Sequence, residues 1–391
     1  MARVLLVDTN FSSMPLYNAL ISMGHEVHVC GANPKDALAQ HSPHYHAIDY
    51  ADSKALANLV DTLRIDHVVP GCNDRSYLSC TQAKALTLFQ RDAFAGLDST
   101  EQSLLINDKQ QFRRHAQQLG LTSPRFHGLD DATPNTPVIV KPSDSFSGQG
   151  ISVIRQPTEK LIAQARALAA RHSASGQTVV EDWIEGQLYS HSAFLLNQRI
   201  VQAHVVIEHC SAYPYAVDTS HLAPEDLPAN ALVTLTHELE RLAQSLSLGD
   251  GLLHTQFVWD GQQCWLIELT RRCPGDLYSQ LIELSTGPGY VGQYLAPFLG
   301  QALEPQAQQG PHRHILRHTL TTESPSTLEH VSIEVPIQIE RWVPIATVGH
   351  SLQKAPKGRI AILFANANDT EGLKSLAERA TTRTLFRLNA K

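Results

Sequence analysis

A chain of 391 residues with 38 acidic against 31 basic side chains carries a formal charge of −7, and its charged fraction of 18% lies below the roughly 25% usual in soluble proteins. Mild acidity argues against a nucleic-acid scaffold, no run reaches the roughly 18 apolar residues of a membrane span, and Asp8 arrives too early for a signal peptide. Neither nucleic acid nor membrane is therefore expected as a partner, and two or three domains are expected at about 150 residues each.

The first hundred residues alternate strand and helix patterns. Residues 4–7 (Val-Leu-Leu-Val), 27–30 and 67–70 are short apolar runs, and residues 15–23 and 55–63 carry helical spacing between them. Short strands separated by helices imply a parallel sheet with crossover helices. The turn after the first strand, Asp8-Thr9-Asn10-Phe11-Ser12-Ser13, lacks the glycines of a dinucleotide-binding turn, which weakens a nicotinamide reading. Pro70-Gly71-Cys72-Asn73-Asp74 sits where open α/β sheets bind ligands, so Asp74 is a candidate for a substrate amine or for a helix cap.

Farther on, Lys109 precedes a helix at 110–119, and residues 138–142 and 151–154 read as a hairpin with a long small-residue tip at 143–150. A helix at 158–171 and a strand at 178–181 complete a small α+β unit. Strands return from 193 to 206, a long loop is expected from 208 to 228, and a helix at 231–246 leads to two strands joined by Asp260-Gly261, a strong hairpin signal. Pro288, Pro297, Pro305 and Pro311 suggest a linker before a small mixed tail. The six cysteines stand apart without a C-x-x-C pair, which reads as reduced thiols in a cytoplasmic protein.

Chemistry concentrates on that last hairpin. Side chains alternate along a strand, so His254, Gln256 and Val258 share a face, as do Glu268, Thr270 and Arg272. In-register pairing would set the oxygen donors Gln256, Glu268 and Thr270 beside the Arg272 cation, a set suited to Mg²⁺. Beyond it, Cys273-Pro274-Gly275-Asp276 places Asp276 as N-cap of a helix at 277–285, where the free amides and Arg272 could hold an anion. Lys141, inside an apolar strand, calls for a partner, phosphate or carboxylate. His209, near Tyr213 and Tyr215, is a substrate-contact candidate. His41, His44, His46, His312, His314 and His318 read as solvent-facing loop residues rather than zinc ligands, having no cysteine pair nearby.

Lys109, Lys141 with its loop, Glu181-Asp182-Trp183-Ile184 and Gln256…Glu268-Leu269-Thr270-Arg271-Arg272 fall in one order, and as a set they resemble the ATP-grasp superfamily. The resemblance implies an α/β fold: an N-terminal Rossmann-like domain (1–112), a small α+β lid (113–187), a larger mixed-sheet catalytic subdomain (188–305) and a small C-terminal domain (306–391). It implies that Lys109 and Lys141 contact ATP phosphates, that the loop bearing Ser147, Gly148 and Gly150 closes over them, and that Glu181, Asp182, Trp183 and Ile184 hold the adenine. Phe257 and Ile267 are counted with the nucleotide contacts, Gln256, Glu268 and Thr270 with Mg²⁺ (or Mn²⁺ in its place), and Arg272 and Lys141 with catalysis. Family members commonly carry Glu where Gln256 stands, Asn where Thr270 stands, and a ribose-binding Glu where Leu188 stands. The Arg272-x-x-Gly275-Asp276 ending resembles the carboxylate–amine ligase branch, including amino-acid ligases. That branch implies small-molecule carboxylate and amine substrates, an acyl-phosphate intermediate and room for a homodimer. Asp74, His209, Arg272, Gly275 and Asp276 are counted as substrate contacts. The competing expectations are bicarbonate phosphorylation and a nucleotide-binding module without turnover.

Overall fold

The computed structural model describes residues 1–128, 131–144, 148–223, 225–304 and 312–390. Four strands, β1 (Arg3–Val7), β2 (Glu26–Cys30), β3 (Tyr45–His46) and β4 (His67–Pro70), form a parallel sheet in the order β3-β2-β1-β4. Val4 to Val7 are buried, as strands covered on both faces must be. The chain runs outward from β1 to β3 and then crosses to β4. The crevice between the ends of β1 and β4 is therefore a topological switch point, walled by the 8–13 turn and by Gly71 to Asp74.

The second unit is an antiparallel sheet of β5 (Phe126–His127), β6 (Val138–Pro142), β7 (Ser152–Ile154) and β8 (Thr178–Asp182), in the order β5-β8-β6-β7. The hairpin expected at 138–154 is present as β6–β7. The helix Glu159–Arg171 packs its small residues Ala165 and Ala169 against Val138, Val140 and Val180. The third unit is an eight-stranded sheet built on β9 (Gln187–Leu196), β10 (Arg199–His209), β11 (Thr219–Leu222), β12 (Gly251–Trp259) and β13 (Cys264–Thr270). One face carries the helix Ala229–Ser245, whose Leu235, Leu239 and Leu242 meet Leu253, Phe257 and Leu266.

The remaining strands are β14 (His314–Thr321), β15 (Ser326–Ile333), β16 (Gln338–Pro344), β17 (Ser351–Leu352), β18 (Arg359–Ala367) and β19 (Phe386–Ala390). Three of them extend the third unit, giving the order β13-β12-β9-β10-β11-β14-β18-β16, while β17-β15-β19 make a small sheet alongside. The central sheet thus runs unbroken across the boundary expected at residue 305. Two local expectations change. The loop expected at 208–228 contains β11, which bridges β10 to β14. The proline-marked stretch expected as a linker folds, up to residue 304, into the helix Tyr290–Leu295 and a following 3₁₀ turn whose Tyr290, Tyr294 and Phe298 are buried. Their apolar area, about 1.5–3 kcal/mol per large side chain, outweighs the punctuating prolines. Tyr294 also donates to the Pro70 carbonyl at 3.0 Å. That joins the N-terminal sheet to the central one through a single core containing Leu6, Leu16, Phe194, Val206, Ile362 and Phe364. Among the described residues no helix is long and apolar enough to cross a membrane.

Candidate active site

The β12–β13 hairpin sets Gln256 opposite Glu268 and His254 opposite Thr270. A bulge then follows Gln256, so that Phe257 pairs with Leu266 and Ile267 is skipped. The skipped residue shifts β13 by one position and so brings Glu268 to the Gln256 face, while plain alternation along β12 turns Phe257 the other way, fully into the core, where it stacks on Tyr189 at 5.6 Å. It offers no surface to a nucleotide, which corrects its expected role. Ile267 stays half-buried, and its carbonyl accepts from Arg113.

Across the same face run Ser190 and Ser192 of β9, Glu208 of β10, Ser220 of β11 and Arg317 of β14, as the pairings require. His209 follows Glu208 and therefore faces the other side, where its ring lies 6.4 Å from His221. The structure does not bring His209 to this site. Glu208, which the sequence reading left out, is buried and accepts from the Gln256 amide at 2.6 Å. Burial pushes its carboxyl up.

Arg272 leaves the end of β13 and meets Asp74 in a two-pronged pair, Nε to Oδ1 at 2.9 Å and Nη2 to Oδ2 at 3.0 Å. Asp74 is not the cap of its helix, Asp74–Leu86. Asn73 caps it by accepting from the Ser76 amide, which leaves the Asp74 carboxylate free to reach across to the hairpin. Thr270 donates its hydroxyl to the same Oδ1 at 2.8 Å. Buried and committed to Asp74, Thr270 falls outside the cation-binding set in which it was expected. Burial alone would raise the Asp74 carboxyl, but Arg272 and Thr270 outweigh it and hold it below the ordinary range. Arg272 is driven above its ordinary value by the same pair, against the opposing effect of burial. His254, beside them, is edge-on to Tyr278 at 5.1 Å, and its Nδ1 has no partner among the described residues. Burial first and Arg272 second depress it to about 3, so this imidazole is neutral at pH 7.

Lys109 opens the helix Lys109–Gln118 with its Nζ 3.7 Å from the half-exposed Glu268 carboxylate. Lys141 is buried and paired with Glu181, so the partner its apolar strand demanded is a carboxylate. Glu181 takes a second cation, Arg113, at 2.5 Å. Arg113 also donates to the Leu266 carbonyl at 2.8 Å, tying lid to hairpin. Burial would raise the Glu181 carboxyl, yet the two cations pull it down to about 2. Its side chain is thus occupied inside the lid. Asp182 likewise turns into the lid, toward His127 at 2.8 Å and Thr136 at 3.3 Å. The half-buried Trp183 and Ile184 remain at the cleft, and the Trp183 indole Nε1 is buried without a partner among the described residues.

Gly148 and Gly150 have φ of +70° and +73°. A side chain at Gly148 would come within 2.9 Å of the Pro214 and Tyr215 carbonyls, so only glycine lets the lid tip rest on that loop. Ser147 lies outside the described residues. Gly275 packs near the Cys72 carbonyl and Ser12. Asp276 is not a cap: the helix begins at Tyr278, and its N-cap position is Leu277, which makes no side-chain cap. Asp276 instead binds Arg359 at 2.5 Å, and its carbonyl accepts from Arg317 at 2.7 Å. The His318 ring, expected in solvent, is buried and bonds Thr219 at 2.8 Å.

Among the described residues no three His, Cys, Asp or Glu side chains converge as a metal cage. Adjacent oxygen donors from Gln256 and Glu268 still fit Mg²⁺, which takes one or two carboxylates and completes its shell with water and phosphate. The lysines, the glycine tip and the unpartnered indole suit an anionic nucleotide in the cleft between lid and sheet.

Residues 134–280 match the ATP-grasp domain family. A formate-dependent phosphoribosylglycinamide formyltransferase of Oleidesulfovibrio alaskensis is 25% identical over 246 residues, 58% of this chain and 58% of that protein. The chain thus spans little more than half the length of that relative. A D-alanine–D-alanine ligase of Halorhodospira halophila is 29% identical over 214 residues, 51% of this chain and 68% of the ligase. In fold, the chain is similar to an L-amino acid ligase from Bacillus licheniformis (TM-score 0.79, 15% identity, covering 100% of this chain and 99% of that one). It is also similar to the biotin carboxylase domain of a Hydrogenobacter thermophilus 2-oxoglutarate carboxylase, solved with magnesium ADP and bicarbonate (TM-score 0.76, 14% identity, 100% and 91% covered). Residues 134–280, which contain the β6–β7 hairpin of the lid and the oxygen-bearing β12–β13 hairpin, form an ATP-grasp domain.

Proposed function

We propose that this protein is an ATP-dependent ligase that joins a small carboxylate to an amine, through an acyl phosphate, with an amino acid or amino sugar among its substrates. The observation that carries this reading is the Asp74–Arg272 pair, set at the meeting of the switch-point crevice and the Gln256–Glu268 hairpin face. An anionic carboxylate approaches a phosphate only where positive charge cancels the repulsion. Arg272, Lys109 and Lys141 supply fixed cations for that purpose, and such preorganised charge is usually the largest catalytic contribution. Mg²⁺ held by Gln256 and Glu268 would add Lewis-acid neutralisation of the phosphates. Arg272 presents a planar fork suited to carboxylate and phosphoryl oxygens, and Asp74 is the carboxylate an ammonium group would meet beside it. The relatives named for formate, D-alanine and L-amino acids support a small carboxylate.

With ATP, Mg²⁺ and hydroxylamine, the correct acid will give a hydroxamate, because an acyl phosphate is captured by a small nucleophile without the second substrate. A panel of amino acids and short carboxylates that yields none, with ATP binding intact, would overturn the ligase reading. Phosphate release driven by bicarbonate alone would favour the carboxylase alternative.

Two further outcomes bear on the nucleotide. Lys141→Ala will weaken ATP binding by about 10–100-fold, the range of a buried charged hydrogen bond. Lys109→Ala, whose partner Glu268 is half-exposed, will cost less than about tenfold. Calorimetric titration showing equal losses would count against Lys141 facing the phosphates. Amide exchange at Gly148 to Gly150 will slow when ATP is added, as a closing lid requires; exchange indifferent to ATP would contradict closure there.

A further inference from the structure

The candidate cation donors leave a charge deficit. Gln256 is neutral and Thr270 is committed to Asp74, so Glu268 is the single anion of the set expected from sequence. Lys109, 3.7 Å away, already offsets part of that charge. One carboxylate and one amide oxygen make a weak hold on a hard divalent cation, whose affinity follows ligand charge.

Glu208 shows the opposite imbalance. It is 3% exposed, and among the described residues no Lys, Arg or His nitrogen lies within ion-pair distance of its carboxylate. Arg317, the guanidinium on the same face, turns to Ser220, Thr319 and Asp276 instead. A buried carboxylate whose partners are neutral is costly, and such groups are normally paired or bound to a metal. Its place is also specific. Val206 pairs with Ser190 and Ser190 with Gln256, so Glu208, two residues beyond Val206, projects from the face that carries Gln256 and Glu268. Its oxygen is 2.6 Å from the Gln256 amide nitrogen. What Gln256 itself can offer a cation is its neutral carbonyl oxygen, whereas the neighbour that holds its nitrogen carries a full carboxylate.

We propose that Glu208 is the second carboxylate of the divalent-cation site, supplying from β10 the negative charge that Gln256 lacks on β12. The inference rests on the nucleotide-dependent reading above but needs neither acid nor amine substrate. A charge excess at one position and a deficit at its hydrogen-bonded neighbour then have one cause.

The test is Mn²⁺ titration of the full chain with ADP, read by electron paramagnetic resonance of the free ion. Glu208→Gln should lower Mn²⁺ affinity by about 10–100-fold, the range for altered metal-site partners, with the circular dichroism spectrum unchanged. Glutamine still accepts the Gln256 amide hydrogen, so a role confined to packing or to orienting Gln256 predicts no change, and that result would overturn the proposal. Glu208→Gln combined with Gln256→Glu moves the charge back by one neighbour and should recover most of the lost affinity; failure to recover also overturns it. Should Glu208→Gln not fold, Glu208→Asp retracts the carboxylate by one methylene, and unchanged Mn²⁺ affinity there would be equally fatal. A wild-type chain that binds no Mn²⁺ with ADP refutes this inference. Mn²⁺ binding without any hydroxamate refutes the ligase reading alone.

Discussion

Hydroxamate formation will fall by at least about a hundredfold in Glu268→Gln, the scale on which single electrostatic catalytic groups act. Glu268 is half-exposed on β13, opposite Gln256 and 3.7 Å from Lys109. Glutamine keeps its shape and one oxygen, so the packing of the hairpin is untouched and only the negative charge is removed. Hard cations discriminate between those two oxygens, and the loss will appear in the rate of activation while the melting temperature stays close to wild type. Arg272→Lys should be nearly as severe for a different reason. An ammonium is a point charge, whereas the guanidinium grips both oxygens of Asp74 at 2.9 and 3.0 Å with a planar fork that an oxyanion can share. Hydroxamate persisting in Glu268→Gln would mean that the cation site lies elsewhere.

The largest effect on stability is expected at a residue that supports the site from beneath. Arg113 is among the most deeply buried side chains in the molecule. It holds Glu181 of the lid with one nitrogen and the carbonyls of Leu266 and Ile267 with the other two. Arg113→Leu leaves a buried carboxylate with Lys141 alone and two carbonyls unpaired, which should cost about 3–5 kcal/mol in denaturant unfolding. The acid side of the stability curve should move with it. Glu181 titrates at about 2 in the folded chain against an ordinary value of 4.5. A depressed folded value stabilises fully above the unfolded one and is lost as the pH falls toward the folded one. Without Arg113 the folded value rises, the window narrows from below, and acid unfolding followed by circular dichroism should begin at higher pH. An unchanged acid midpoint would show that Lys141 alone stabilises the Glu181 charge.

Much of this arrangement is local and was legible as such. Strand alternation grouped Gln256 with His254 and Glu268 with Thr270, and Asp260-Gly261 marked the hairpin between them, because both signals arise from the backbone of a few adjacent residues. The β6–β7 hairpin, the apolar environment of Lys141 and the parallel start of the chain follow from the same short-range patterns. What the sequence could not determine was the choice of partner for each polar group. Asp276 looks like a cap because helix ends favour aspartate, yet a guanidinium 83 residues away, Arg359, takes its carboxylate. Asp74 and Arg272 are 198 residues apart, and Arg113 and Glu181 are 68 apart. Such pairs form when separate units dock, since a charge buried by docking must find whichever counter-charge the neighbouring unit presents. Phe257 was legible, since alternation from Gln256 already turns it to the core face, but the face of Glu268 was not: one skipped residue, Ile267, reverses β13 and brings Glu268 beside Gln256, and bulges leave no mark in hydrophobic alternation. Glu208 lay at the start of what read as a long loop, and only the insertion of β10 between β9 and β11 turned its carboxylate toward Gln256. Local chemistry therefore specified which residues could act, and the tertiary packing decided which of them stand together.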